Sequence, residues 1–489
     1  MRQINNSNKA YSLNTNDRRT LFFLLFVPCL LIIRVLDNDT WFLLNSGRYV
    51  MEYGIPHIEP FSIHQDLQFV LQQWLTDVIF WVTYNNHGEN GLFLIVTICY
   101  LIITFLMFKL CMKISEGNFF VSFSITLLSS ILVFTYMVTR PTIFTLVIIM
   151  IELNALENYT KNGKINNLII LPILSLIMIN LHAALWPMLF VMMLPYVVDS
   201  IKFKVGFIES EGYGVKNLII IFIAMVLIAL VNPYGLDSMT YLYKSMGYPY
   251  IKNILEIMHP YVNNSTGALI YIYIFLTVSI YVFYRKGSSK IRYALLTLGT
   301  IYMVLTSIRN ITYFGLCSLF PLAYYLKDIN IEKNNQSKKN KKLRIILVFL
   351  IVVTLMFVGY KNIEQNKTNV PYSDLNNTID YIFANEDTRN IVLYTGFNEG
   401  ALTQFRGLPS YIDPRAEVYF KKHNNKDDIF NEYFDLLEGK VHYKKVIEKY
   451  KFTHLIVTKE DLLFEYLAND VEYKIIYENK TYRLYKKIT

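Results

Sequence analysis

The feature that most limits what this 489-residue chain can become is a series of about eleven apolar runs of near-spanning length, starting near residues 19, 91, 119, 141, 166, 183, 217, 267, 290, 311 and 343. In lipid, such runs fold as helices, because every backbone polar group must then find its partner within the segment. Composition agrees: 53% of residues are hydrophobic and 17% charged, against about 25% charged in soluble domains. The expected fold class is a polytopic α-helical membrane bundle of about eleven spans.

Basic residues orient the spans. With Arg2, Lys9, Arg18 and Arg19 in the cytoplasm, the loops on that side carry Lys109 and Lys113, Lys161 and Lys164, then Lys202, Lys204 and Lys216. Arg285, Lys286, Lys290 and Arg292 follow, and then the basic run from Lys327 to Arg344. Up to that point the opposite side carries only Arg34, Arg48, Arg140, Lys244, Lys252 and Arg309. The net charge of +9 is therefore a positive-inside signature and excludes a nucleic-acid footprint. A multi-pass cell-membrane protein follows, with residues 1–18 as a cytoplasmic N-terminus and 19–360 as the transmembrane domain. Its first outer loop spans 37–90, and 361–489 form an extracytoplasmic α/β domain.

The segment Val70 to Tyr84 is too short and polar to span, and counting it would invert every later loop. It reads as an amphipathic helix that lies at the outer interface or re-enters the bundle, with Trp74 and Trp81 at that depth. In the tail, β-rich runs (IVLY at 391, SYI at 410, HLIV at 454, KIIY at 474, YRLY at 482) alternate with the helical stretches DDIFNEYFDLL and VIEKYK. Asp413 and Arg415, either side of Pro414, read most simply as a local ion pair that fixes a loop against the membrane domain. The four cysteines lie within apolar runs without a C-x-x-C pair, which points to neither a disulfide framework nor a thiolate metal site.

Ionisable groups at span ends are costly, so they pair, face water or do chemistry. Asp37, Asp39, Arg140, Asn180, His182, Asn232, His259, Arg309 and Asn310 all fall at turns on one side of the expected bundle. Asp37 and Asp39 could act as general base, or share a divalent cation such as Mg²⁺ or Mn²⁺ with Glu59 or a substrate phosphate. They could instead cap the helix starting near Thr40, a role expected of Asp39 before Asp37. Arg48, Arg140 and Arg309 have the fork geometry to hold a phosphate, although a single such arginine more often reaches lipid headgroups. His57 and His182 are either proton shuttles or hydrogen-bonded interfacial residues.

The stretch DNDTWFLLNSGRYVMEYGIPHIEPFS resembles the first outer loop of bacterial multispan proteins related to the C-type (GT-C) glycosyltransferases. QQWL at 72, NLHAALW at 180, NPYG at 232, the Arg309-Asn310 pair and YIDPRAEVY look like later landmarks of the same group, in order along nearly the whole chain. The resemblance implies transfer of a sugar from a polyprenyl-phosphate carrier to an envelope acceptor at the outer face. Asp37 or Asp39 would then be the base or metal ligand, and Arg48, His57, Glu59, Arg140, Asn180, His182, Arg309 and Asn310 would bind substrate. The bundle would house the polyprenyl tail. Two positions depart from the pattern: Leu43 replaces a histidine expected after the aromatic pair, and Gln73 a glutamate expected before Trp-Leu. Two other functions remain open, a transporter or flippase of a lipid-linked precursor and a non-catalytic envelope assembly protein. A transporter is expected to place ionisable residues near mid-membrane, on helices broken by Gly or Pro.

Overall fold

The computed structural model of the chain describes residues 36–134, 136–206, 208–246, 289–328 and 370–488, together with Phe22, Leu25 and Tyr250. The basic N-terminus, the runs starting near 19, 267 and 343, Lys252, His259 and the IEKNNQSKKNKK connector lie outside these residues.

Helix α1 (Asn38–Tyr53) leads through a loop into α2 (Trp74–Ile114), which is kinked at Gly88, where φ is 61° and ψ is −156°. The helices α3 (Phe119–Phe134), α4 (Thr142–Asn162), α5 (Ile170–Leu181), α6 (Pro187–Asp199), α7 (Lys216–Ile228) and α8 (Ile291–Thr306) cover the next apolar runs. The run starting near 311 is divided into α9 (Ile311–Cys317) and α10 (Leu319–Leu326). Among the described residues, α2 and α4 are long and apolar enough to cross a membrane, and the other apolar helices are shorter. Helix α4 stops at Gly163, whose φ of 63° lets its N–H turn back to the Tyr159 carbonyl at 2.8 Å.

The two ends of the bundle differ in chemistry. At one end Lys161 Nζ donates to the Lys113 carbonyl, Lys113 Nζ to that of Asn154, and Lys327 pairs with Glu116. A small sheet of β1 (Lys204–Val205), β2 (Ile208–Glu209) and β3 (Ser289–Lys290) joins the chain before α7 to the start of α8 at this end. Arg292, expected as a basic loop residue, is instead 2% exposed, with Glu157 at 3.1 Å and Asp199 at 2.6 Å. A buried guanidinium needs such partners, and these come from α4 and α6, two helices that sequence order alone does not place beside it.

Val70 to Tyr84, expected at the outer interface or re-entering the bundle, packs on the bundle. Its helical part is the first section of α2, packed on protein: Trp74 Nε1 donates to Asn180 Oδ1 at 2.9 Å and Thr76 Oγ1 to the Leu181 carbonyl at 2.7 Å. Trp81 packs on Phe405, with the Arg48 guanidinium over its ring. Helices α1 and α2 approach so closely at Gly47 that a Cβ there would sit 2.0 Å from the Asp77 carbonyl oxygen.

The terminal region begins with α11 (Val370–Asn385) and is built on a four-stranded sheet in the order β4-β5-β7-β6. Strands β4 (Leu393–Tyr394) and β5 (His454–Thr458) are parallel, and β7 (Tyr482–Lys487) pairs antiparallel with β5 and with β6 (Tyr473–Glu478). The SYI run is not a strand: Ser410 makes single bridges to Ser62 and Leu393. Helices α12 (Gly400–Phe405), α13 (Ile429–Leu437) and α14 (Tyr443–Tyr450) lie between β4 and β5, with a short helix at Lys421–Asn424 before α13, and another, Leu462–Ala468, follows β5. One apolar core runs from the bundle into this region through Leu375, Ile379, Leu402 and Leu484, and Trp41 of α1 stacks on Tyr372 at 5.4 Å. The terminal region is thus docked on the helices by continuous packing.

Candidate active site

A cavity of about 1600 Å³ lies where the helix ends meet the terminal region. The bundle contributes the starts of α1 and α2, the turn between α3 and α4, the link between α5 and α6, and the turn between α8 and α9. The terminal region contributes the loops after β4 and β5, the loop around Pro414, and Tyr433 and Phe434 of α13.

Asp37, Asp39 and Arg140 form one side. Asp37 is the N-cap of α1, a role expected first of Asp39: its Oδ1 accepts from Thr40 N at 3.1 Å and Thr40 Oγ1 at 2.8 Å. Its Oδ2 takes Arg140 Nε at 2.5 Å, and Asp39 Oδ2 lies 3.2 Å from the same nitrogen. A single guanidinium thus meets two carboxylates at the positive end of a helix.

Other walls carry His182, Arg309 and Asn310. His182 Nδ1 shares a hydrogen bond of 2.8 Å with Thr145 Oγ1, and Asn310 Nδ2 donates to the Met303 carbonyl at 2.9 Å. The Arg309 side chain is exposed to the cavity, and its guanidinium makes no hydrogen bond or ion pair among the described residues. Glu417, on the terminal-region side, is close enough to feel the Arg309 charge; burial raises its pKa and Arg309 opposes that rise.

Four expected site residues lie outside the cavity lining, each for an identifiable reason. Arg48 donates to Asn45 Oδ1 at 2.7 Å and the Phe405 carbonyl at 3.0 Å, which ties α1 to α12. The His57 ring packs edge-on against Tyr234, 5.2 Å between centroids. Glu59 is buried, accepts from Phe61 N at 3.0 Å and Ser62 N at 2.9 Å, and pairs with Arg415 at 2.7 Å. Asn180 accepts from Trp74 and donates to the Leu176 and Val231 carbonyls.

With Glu59 engaged elsewhere, Asp37 and Asp39 are what remains of the carboxylate set expected for a divalent cation, and both meet Arg140. Among the described residues no group of three His, Cys, Asp or Glu side chains could hold a metal. The donor set fits Mg²⁺ or Mn²⁺ poorly, because a guanidinium already neutralises the two oxygens a cation would use.

Sequence reasoning missed Glu399 and Asp461, which line the cavity from the loops that follow β4 and β5. Burial, aided by the nearby Asp461 charge, pushes Glu399 up to about 7, while Tyr482 donates to its Oε1 at 3.3 Å. The available signal was GFNEGAL, whose glycines permit close approach: a Cβ on Gly400 would lie 1.8 Å from the Ile412 carbonyl oxygen. Glu152 was missed too; it is buried inside α4, away from the cavity lining, and neither carboxylate oxygen has a hydrogen-bond partner among the described residues.

The segments that carry the resemblance bind one another. Gln72 of QQWL accepts from Ala183 N and Ala184 N of NLHAALW. Tyr234 of NPYG donates to the Pro56 carbonyl at 2.7 Å, and Glu59 meets Arg415 of YIDPRAEVY.

No protein-family model and no curated protein sequence matches the chain. Solved structures do. The apo oligosaccharyltransferase of Archaeoglobus fulgidus superposes with a TM-score of 0.58 at 10% identity, over 91% of this chain and 70% of that one. The same enzyme tethered to an acceptor peptide containing the NVT sequon gives 0.56 at 10% identity, over 91% and 69%. ArnT from Cupriavidus metallidurans in the apo state gives 0.57 at 10% identity, over 97% of both chains. At that identity the likeness establishes the fold alone, which this chain shares with these two proteins.

Proposed function

We propose that this chain of GT-C fold is a glycosyltransferase that moves a sugar from a polyprenyl-phosphate carrier to an envelope acceptor at the extracytoplasmic membrane face. The observation that carries the proposal is the pairing of Arg140 with Asp37 and Asp39 on the wall of a cavity that also contains Arg309, whose guanidinium has no partner among the described residues. Carboxylate and guanidinium groups together are what glycosyl transfer from a phosphate needs: a base for the acceptor and a cation for the leaving group. The lysine-rich opposite end of the bundle supports a cytoplasmic assignment for that end by the positive-inside rule.

Asp37 caps α1 with one oxygen and meets Arg140 with the other, which makes it a positioning residue; Asp39, whose Oδ2 lies 3.2 Å from the same Arg140 nitrogen, is the base. Asp39 takes the proton of an acceptor hydroxyl or amine as that group bonds to the anomeric carbon. The bond from that carbon to the phosphate oxygen breaks with its electron pair on the phosphate, whose added charge Arg309 receives. The terminal-region wall with Glu399 and Asp461 faces the acceptor.

The test is transfer of label from a polyprenyl-phosphate sugar to envelope fractions by purified protein in lipid nanodiscs. Transfer that falls by about 10²-fold or more in Asp39→Asn, with unchanged folding, supports the proposal; full transfer in Asp39→Asn refutes it as written. A transport reading draws on Glu152, an ionisable group buried inside a helix. Flipping of a lipid-linked sugar that is abolished by Glu152→Gln and indifferent to Asp39→Asn would favour it.

A further inference from the structure

His182 closes α5 and opens the link to α6, where it lines the cavity although only 8% of it is exposed. Its ring is tethered on one side only. Nδ1 lies 2.8 Å from Oγ1 of Thr145, a fully buried residue of α4. Nε2 has no hydrogen-bond partner among the described residues, yet it is not one of the enclosed polar atoms that lack a partner, so it opens on the cavity that the residue lines. A buried side chain with one free polar atom facing a cavity is rare unless water or a ligand completes it.

Thr145 decides which form of the ring faces the cavity. Its hydroxyl has one proton to give and two acceptors in reach, His182 Nδ1 at 2.8 Å and the Pro141 carbonyl, one turn back, at 3.5 Å. The nearer acceptor takes it. A neutral imidazole carries a single proton, which then sits on Nε2 and makes that atom a donor. The ring stays neutral because burial, and after it the Arg309 charge, push its pKa down to about 3.

Arg309 supplies the neighbouring charge. Helices α6 and α8 pack on each other, and Arg292 at the start of α8 meets Asp199 at the end of α6 at 2.6 Å, so the two run antiparallel. The turn after α8 that carries Arg309 therefore lies at the same end as the link before α6 that carries His182. This part of the wall offers an uncharged N–H and a guanidinium, both donors. An anion that only accepts fits such a pair, whereas a hydroxyl would leave its own proton without an acceptor there.

We infer that Thr145 and His182 form a second binding element for the donor phosphate: Thr145 is a positioning residue that holds the ring so that Nε2–H donates to an oxygen of the phosphate whose charge Arg309 receives. A neutral donor adds a hydrogen bond at the phosphate without a second full charge on the departing group. The inference rests on the transferase reading and adds which uncharged group recognises the phosphate.

The test measures ligand-induced thermal stabilisation of the full chain in lipid nanodiscs by polyprenyl phosphate, polyprenol and inorganic phosphate. His182→Leu is expected to bind polyprenyl phosphate about tenfold more weakly than wild type, while His182→Gln, which keeps an N–H donor, stays within about threefold of wild type. Polyprenol, which has no phosphate, should bind all of these forms alike. Thr145→Val, nearly isosteric but without the hydroxyl, should bind polyprenyl phosphate more weakly than Thr145→Ser, and this pair carries the test if His182→Leu does not fold. Equal binding of polyprenyl phosphate by wild type and His182→Leu, or by the two Thr145 variants, overturns the inference. So does a loss that polyprenol shares, or an equal loss in His182→Leu and His182→Gln, since either makes the ring a packing element. A loss confined to inorganic phosphate assigns the position to a free anion and overturns the lipid assignment. If wild type itself does not bind polyprenyl phosphate, the transferase reading fails and the inference with it.

Discussion

Arg140 Nε sits 2.5 Å from Asp37 Oδ2 and 3.2 Å from Asp39 Oδ2, so one guanidinium joins the cap of α1 to the carboxylate two residues further on, in its first turn. This relationship fixes the orientation of the proposed base. The two acids consequently differ in what their removal should do.

Asp37→Ala is expected to lower both transfer and stability, because it removes the cap and the Arg140 pair; replacing an N-cap by alanine costs about 0.5–2 kcal/mol. Asp39→Asn should lower turnover by about 10²-fold or more with a melting temperature close to wild type. Turnover and thermal unfolding of the two variants, measured side by side, separate these roles.

Arg309→Ala should raise KM for the polyprenyl-phosphate donor by about tenfold or more and leave folding intact, because its guanidinium has no partner among the described residues. Arg48→Ala should do the reverse. Its hydrogen bonds to Asn45 and Phe405 are structural, so the variant loses about 1–3 kcal/mol and keeps its donor affinity.

Glu399 predicts a pH dependence of defined sign. In the folded chain its carboxyl is raised to about 7 by burial and by Asp461, above its ordinary value of 4.5. The folded state therefore keeps the proton longer than the unfolded chain, and stability falls as pH rises between those values. Glu399→Gln should stabilise the protein at pH 8.5 by about 1–2 kcal/mol and have little effect at pH 4.5. Thermal unfolding of both forms across that range checks the sign; a variant equally stabilised at both ends would contradict it.

Arg415→Leu should be among the most destabilising single changes, because it strands Glu59 and Asp413 as buried charges; losses of this kind run to about 3–5 kcal/mol. Burial by itself would raise the Asp413 pKa, but Arg415 and the Tyr419 hydroxyl hold it below the usual carboxylate range. Expression level and thermal unfolding in detergent provide the measurement.

The sequence was most legible where a physical rule acts locally. Apolar runs marked helices α2 to α10, and Asp37, Asp39, Arg140, His182, Arg309 and Asn310, each at a helix end, line one cavity. It was least legible where a partner is far along the chain. Glu59 looked like a spare oxygen ligand because Arg415, which claims it, is remote in sequence, and Arg48 looked like a phosphate clamp because Phe405 is equally remote. Arg292 read as a loop cation until Glu157 and Asp199 enclosed it. SYI had β propensity, but Ser410 finds only single bridges, so no strand propagates.

The account turns on the carboxylates of the first loop, and transfer of labelled sugar by the purified Asp37→Asn, Asp39→Asn double variant tests it most directly. The account predicts that the variant folds, still binds polyprenyl phosphate through Arg309 and transfers no label above background. Label transferred at the wild-type rate would contradict it.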